Sequence, residues 1–180
     1  MSGPSATPRS AGAERGHLNG IDVEDLRDYI ASAATDATVA ERDPVVVARW
    51  LGADRAEVTV SPDNAPVLIG GDGEPNSMRM VLAALAACDV DVVANRAALL
   101  GVEIEDLTVE VRGHFNVRRY LGLEAPQGPG YDRIAYAVRL KTKGATADQL
   151  ADLRRACEQG SPVGDTLTRS VTLSLAFEGS

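Results

Sequence analysis

The stretch VLAALAACDVDVVANRAALLGVEIEDLTVEVRG, residues 81–113, decides the fold, because its hydrophobic period changes partway along. From Met78 to Val93 apolar and small side chains fall on nearly every side of a helical projection. Such a helix is buried all round, and its alanines let another backbone pack close. Asn76 or Ser77 supplies an N-cap and Gly101 a C-terminal stop, which predicts one long helix at the centre of the molecule. Past Gly101 the period drops to two. Leu107, Val109, Val111, Phe115 and Val117 alternate with Thr108, Glu110, Arg112, His114 and Asn116, the pattern of a strand with one wet face.

Working outward, Ile134, Tyr136, Val138 and Leu140 repeat that alternation after the loop LGLEAPQGPG (121–130). TADQLADLRRAC (146–157) opens with Thr146 and Gln149 in capping-box spacing and places Leu150, Leu153 and Cys157 on one helical face. Gly160 and Pro162 are expected to end it, and Val171, Leu173, Leu175 and Phe177 to form a last strand. Towards the N-terminus, VVVARWL (45–51) and AEVTV (56–60) flank GADR as a hairpin, PVLIG (66–70) adds a strand, and a short amphipathic helix starts at Asp22. Hairpins grouped around helices, without a βαβ rhythm, indicate an α+β fold with antiparallel sheet.

A chain of 180 residues with 44% hydrophobic content is long enough for one sizeable core, so residues 21–180 are read as a single domain. Residues 1–20, small, polar and punctuated by Pro and Gly, read as a disordered tail without the apolar centre of a signal peptide. A net charge of −8 argues against nucleic acid or an anionic membrane surface as partner, since both require a basic face. The apolar run 80–88 is about half the length a membrane helix needs. A cytoplasmic protein is expected, and two cysteines do not make a secreted disulfide scaffold.

Several kinds of site are argued against. LIGGDGEPNS (68–77) precedes a helix, but it has no P-loop lysine, and Asp72 with Glu74 would repel phosphate. His17 and His114 have no His or Cys at metal spacing nearby, so no metal or cofactor is expected. No serine sits in a nucleophile-elbow context.

Three segments together resemble the OsmC/Ohr family, the osmotically inducible and organic hydroperoxide resistance proteins. They are the quoted stretch 81–113; FNVRRYLGL (115–123) with PGYDRIAYAVRLK (129–141); and the helix ending in SPVGDTL (161–167), where many members carry Cys-Pro-Val. The resemblance implies an OsmC-like fold in which antiparallel sheets wrap long central helices of an interwoven homodimer, with thiol sites built from both chains. In peroxide-reducing members a cysteine on the central helix attacks the O–O bond and becomes a sulfenic acid. A second cysteine closes a disulfide that dithiols reduce, and an arginine from the first hairpin, held by a glutamate, stabilises the thiolate.

Carried over, Cys88 matches the attacking cysteine and Arg55 the arginine, with Arg49 as competitor. Met78 stands at the glutamate position, leaving Glu74 as a substitute, and Ser161 stands at the second cysteine. Cys157, four residues earlier, is displaced about 6 Å along a helix axis. Disulfides tolerate Cα separations up to roughly 7 Å and little misdirection, so Cys157 is read as a small core side chain.

Cys88 keeps two readings: a nucleophile, or a small residue filling a tight helix contact beside Ala84, Leu85 and Ala87. Asp89 and Asp91 would weaken the nucleophile unless an arginine outweighs them, and at least one is expected to pair with an arginine such as Arg96 or one from the partner chain. Two functions follow. One is a one-cysteine thiol peroxidase that reduces small organic hydroperoxides through Cys88 and is regenerated by an external thiol. The other is a redox-inactive dimer binding a small hydrophobic ligand at its interface.

Overall fold

A computed structural model describes residues 16–61 and 63–179. Of the tail expected over residues 1–20, the first 15 residues lie outside the described residues. The remainder forms a small antiparallel hairpin of β1 (His17–Leu18) and β2 (Ile21–Asp22). Its turn residue Asn19 takes a left-handed φ of +56°. There its amide donates to the Val102 carbonyl and its oxygen accepts from the Ile104 N–H, both at 2.9 Å, fastening the hairpin to the middle of the chain.

Asp22 caps α1 (Val23–Thr35) by accepting from the N–H groups of Glu24 and Asp25. Strands β3 (Val47–Gly52), β4 (Arg55–Thr59) and β5 (Val67–Ile69) form an antiparallel sheet in that order. Helix α2 (Ser77–Leu100) begins at Asn76, whose side chain accepts from Arg79 N–H at 2.8 Å, and stops at Gly101, whose φ of +70° suits a residue without Cβ. Strands β6 (Glu103–Phe115) and β7 (Tyr131–Lys143) pair antiparallel along their lengths, with Val109 opposite Val138. The predicted capping box of Thr146 and Gln149 opens α3 (Ala147–Gly160), and Gln149 also donates to the Leu100 carbonyl at the end of α2. The α+β class with antiparallel sheets is therefore the architecture observed.

The core lies where α2, α3 and the β6–β7 ribbon meet: Val93, Ala97, Val102, Leu153 and Cys157 are buried together, with Leu107, Val138 and Leu140 packed on them. Leu85, Asp89, Val93 and Ala97 recur at four-residue spacing, so a single stripe of α2 faces this core. On the other side Ala83, Ala84, Ala87 and Val90 are exposed. Within one chain, then, the helix that reads as apolar all round is covered on one side only.

Two elements differ from expectation. Pro162 does not merely end α3; it is the first residue of a short helix, α4 (Pro162–Thr168), because proline is favoured where a helix has no N–H to satisfy and Ser161 supplies the cap. The expected last strand is not formed. Residues 170–179 have no regular structure, and Leu173 is 93% exposed. The alternating pattern is present in the sequence, but a strand needs a neighbouring edge, and none among the described residues pairs with it. No described helix is long and apolar enough to cross a membrane.

Candidate functional site

Ser161 ends α3 and caps α4, so its position is fixed from both directions. Its hydroxyl oxygen accepts from the Gly164 N–H at 3.1 Å and donates to Cys88 Sγ at 3.5 Å. The serine is 4% exposed and Cys88 is half-buried. The two positions singled out as attacking and second cysteine thus meet side chain to side chain, 73 residues apart. A hydroxyl there fixes the position of the sulfur, while it cannot itself form an S–S bond.

Cys157 is buried in the core, 9% exposed, as its reading as a small core side chain requires. Burial pushes its thiol up, the negative charges of Asp89 and Glu158 add to this, and a backbone hydrogen bond opposes them. A thiol held neutral is a poor resolving nucleophile.

Arg55 lies at the start of β4, exposed, with its side chain folded over Gly71. A Cβ on Gly71 would stand 2.9 Å from Arg55 Cγ, so only glycine lets the arginine lie there without strain. Arg49 is on β3 opposite Glu57. Among the described residues neither arginine makes a hydrogen bond or ion pair to Cys88. Met78, in the first turn of α2, carries no charge to hold an arginine, and its carbonyl accepts from the Tyr131 hydroxyl at 2.8 Å. Glu74 lines a separate recess beside Asp54 and Arg79.

Within one chain Arg96 does not serve the acidic pair beside Cys88. Arg96 pairs with Asp152 on α3 at 2.9 Å and with neither Asp89 nor Asp91, because its position on α2 looks toward α3. Asp91 accepts from Asn95 at 2.9 Å. Asp89 is fully buried, and neither carboxylate oxygen has a hydrogen-bond partner. The sequence carries a weak signal for that burial: Asp89 sits one turn after Leu85 and one before Val93, in an otherwise apolar stripe. His114 pairs through Nδ1 with Asp132 at 2.9 Å on the exposed ribbon.

A cavity of about 460 Å³ opens beside the serine, bounded by Leu85, Tyr131, Ile134, Tyr136 and Cys157 as well as Ser161. Burial raises the Tyr136 phenol, with Asp89, Cys157 and Glu158 adding to the effect. Asp132, Arg133, Glu158, Gln159 and Asp165 line it as well, so charged and apolar groups share its wall.

The fold has solved counterparts. The chain resembles the OsmC-like protein of Mycoplasma pneumoniae with TM-score 0.60 and 13% identity, over 71% of this chain and 89% of that one. An OsmC-like protein of unknown function from Vibrio cholerae gives TM-score 0.58 and 10% identity, over 70% and 94% of the two chains. An organic hydroperoxide resistance protein OsmC from Legionella pneumophila gives 0.50 and 15%, over 70% and 89%. No curated protein sequence matches the chain. At these identities the likeness concerns the fold alone. The sequence evidence is the match of residues 70–176 to the OsmC-like protein family, more than half of the chain, and it spans α2, the β6–β7 ribbon, α3 and α4. On that match the chain belongs to the OsmC-like protein family.

Proposed function

We propose that this protein is a one-cysteine thiol peroxidase acting on small organic hydroperoxides. The observation that supports it is the hydrogen bond from Ser161 Oγ to Cys88 Sγ, with Ser161 itself lining a cavity of ligand size. Cys88 thiolate attacks the distal oxygen of ROOH, the O–O bond breaks, and the alkoxide leaves and takes a proton as ROH. Cysteine is oxidised to sulfenic acid. With a hydroxyl at 161 no internal disulfide follows. One external thiol condenses with the sulfenic acid and releases water; a second displaces Cys88 and leaves as the external disulfide.

The cation for the thiolate is Arg55 from a second subunit of an interwoven homodimer. Three features support that assembly: the uncovered Ala83, Ala84, Ala87 and Val90 face of α2, the exposed Val45, Val46 and Trp50 beside the hairpin, and the unpaired apolar segment at 171–177. Together they expose more apolar surface than a stable monomer usually leaves in water. The test is consumption of cumene hydroperoxide with dithiothreitol as reductant. Turnover by the wild type that disappears in Cys88→Ser supports the reading; a rate equal in both proteins refutes it.

A further inference from the structure

The loop joining β6 to β7, residues 116–130, takes no part in the chemistry just described, yet it holds two adjacent arginines in defined positions. The Asn116 side chain accepts from the Arg118 N–H at 2.9 Å, and the Leu123 N–H donates back to the Arg118 carbonyl at 2.9 Å, with Gly122 at a left-handed φ of +75° making the turn. Both arginine side chains then reach across to the returning strand of the loop. Arg118 Nε donates to the Glu124 carbonyl at 3.0 Å, and Arg119 Nε donates to the Ala125 carbonyl at 3.3 Å.

These bonds hold the guanidinium groups without neutralising them. Arg96, Arg139 and Arg154 have their charge answered by Asp152, Glu110 and Glu158. Arg118 and Arg119 meet neutral carbonyls instead, and among the described residues neither has an ion-pair partner. Each keeps its Nη donors free, and the cost of ordering two long side chains is met before any ligand arrives.

Both arginines line a recess of about 830 Å³, whose apolar wall is Leu123, Ala125 and Pro126. Glu124 is the one carboxylate on it, so the lining keeps a positive charge in a chain of net charge −8. A nucleic acid or an anionic membrane would meet the acidic remainder of the surface as well. A single anionic group would not, because exposed charges beyond a Debye length of about 8 Å are largely screened at physiological ionic strength. One guanidinium fork is filled by the two oxygens of a carboxylate, whereas a phosphate monoester offers three terminal oxygens and nearly two negative charges to a pair of forks.

We propose that the β6–β7 loop is a binding site for a small organic phosphate monoester, with the phosphate on Arg118 and Arg119 and the organic body against Leu123, Ala125 and Pro126. The site is independent of the peroxidase reading and needs no thiol. The test is NMR titration of the full chain with phenyl phosphate, benzoate and phenol, followed on the arginine Nε–Hε signals. Phenyl phosphate should bind at least tenfold tighter than phenol and several-fold tighter than benzoate. Arg118→Gln and Arg119→Gln should each weaken phenyl phosphate at least fivefold. Arg118→Lys, which keeps the charge and loses the fork, should also weaken it, and Glu124→Gln should tighten it. Arg133→Gln, which removes an exposed arginine outside this recess, should leave the affinity unchanged. If the glutamine variants disturb the loop, the three-ligand ranking and Glu124→Gln decide. Equal affinities for the three ligands, binding indifferent to Arg118→Gln and Arg119→Gln, binding unmoved by Glu124→Gln, or a loss as large in Arg133→Gln would overturn the proposal.

Discussion

Ser161 Oγ lies 3.5 Å from Cys88 Sγ, one side chain held at the junction of α3 and α4 and the other at the middle of α2. That closeness makes the missing second thiol a testable substitution. Ser161→Cys places sulfur where the hydroxyl is, and a modest rotamer change brings the two sulfurs to bonding distance. On mild oxidation the variant should lose 2 Da by intact mass, with the disulfide mapped by peptide digestion to Cys88 and position 161. A variant that stays fully reduced, or crosslinks only between chains, contradicts the geometry.

Removing the hydroxyl has two separable effects. Ser161→Ala deletes the α4 cap, costing about 1 kcal/mol in denaturant unfolding. It also removes the donor to sulfur, so Cys88 alkylation near neutral pH should slow severalfold. Ser161→Thr, which retains the hydroxyl, should restore most of the rate.

Cys157 should behave as a core residue. With its thiol pushed up by burial and by Asp89, iodoacetamide at pH 8 should label it at least tenfold more slowly in the native protein than in the urea-unfolded chain. Cys88, half-buried, should account for nearly all native labelling.

Leu153 and Val93 join α3 to α2 in the core, both almost completely buried. Leu153→Ala should cost about 3 kcal/mol in urea unfolding. A loss below about 1 kcal/mol would mean that this core is not the one that holds the fold.

Asp152 supplies a pH-dependent term. Hydrogen bonds from Arg155 and then Arg96 hold its carboxyl below the ordinary aspartate value of 3.8. A depressed carboxylate adds stability above its unfolded value, and that stability is lost as pH falls through the folded one. Asp152→Asn should therefore lower Tm at pH 7, and the difference from wild type should shrink as pH falls below 3.8.

Most of the fold was legible because its signals are local. The Gly101 stop, the Thr146–Gln149 box, the Asp22 cap and the alternation through β6 and β7 each depend on residues a few positions apart. What escaped depends on distance or on context. Pro162 reads equally as a helix stop and as a first helical residue, and only the Ser161 cap distinguishes them. Val171 to Phe177 has a strand's pattern but no partner among the described residues. The pairing of Arg96 with Asp152 and the sealing of Asp89 follow from how α3 and the ribbon lie on α2, which no short window of sequence records. The meeting of residues 88 and 161 came through family resemblance, since their separation carries no local signal.

The central claim is that Cys88 reduces hydroperoxides through its own sulfur. The most direct measurement is to treat the reduced protein with one equivalent of cumene hydroperoxide, trap with dimedone, and map the adduct by mass spectrometry. The account predicts near-stoichiometric dimedone on Cys88, none on Cys157, and none in Cys88→Ser. An unmodified Cys88, with peroxide still present after minutes at neutral pH, would contradict it.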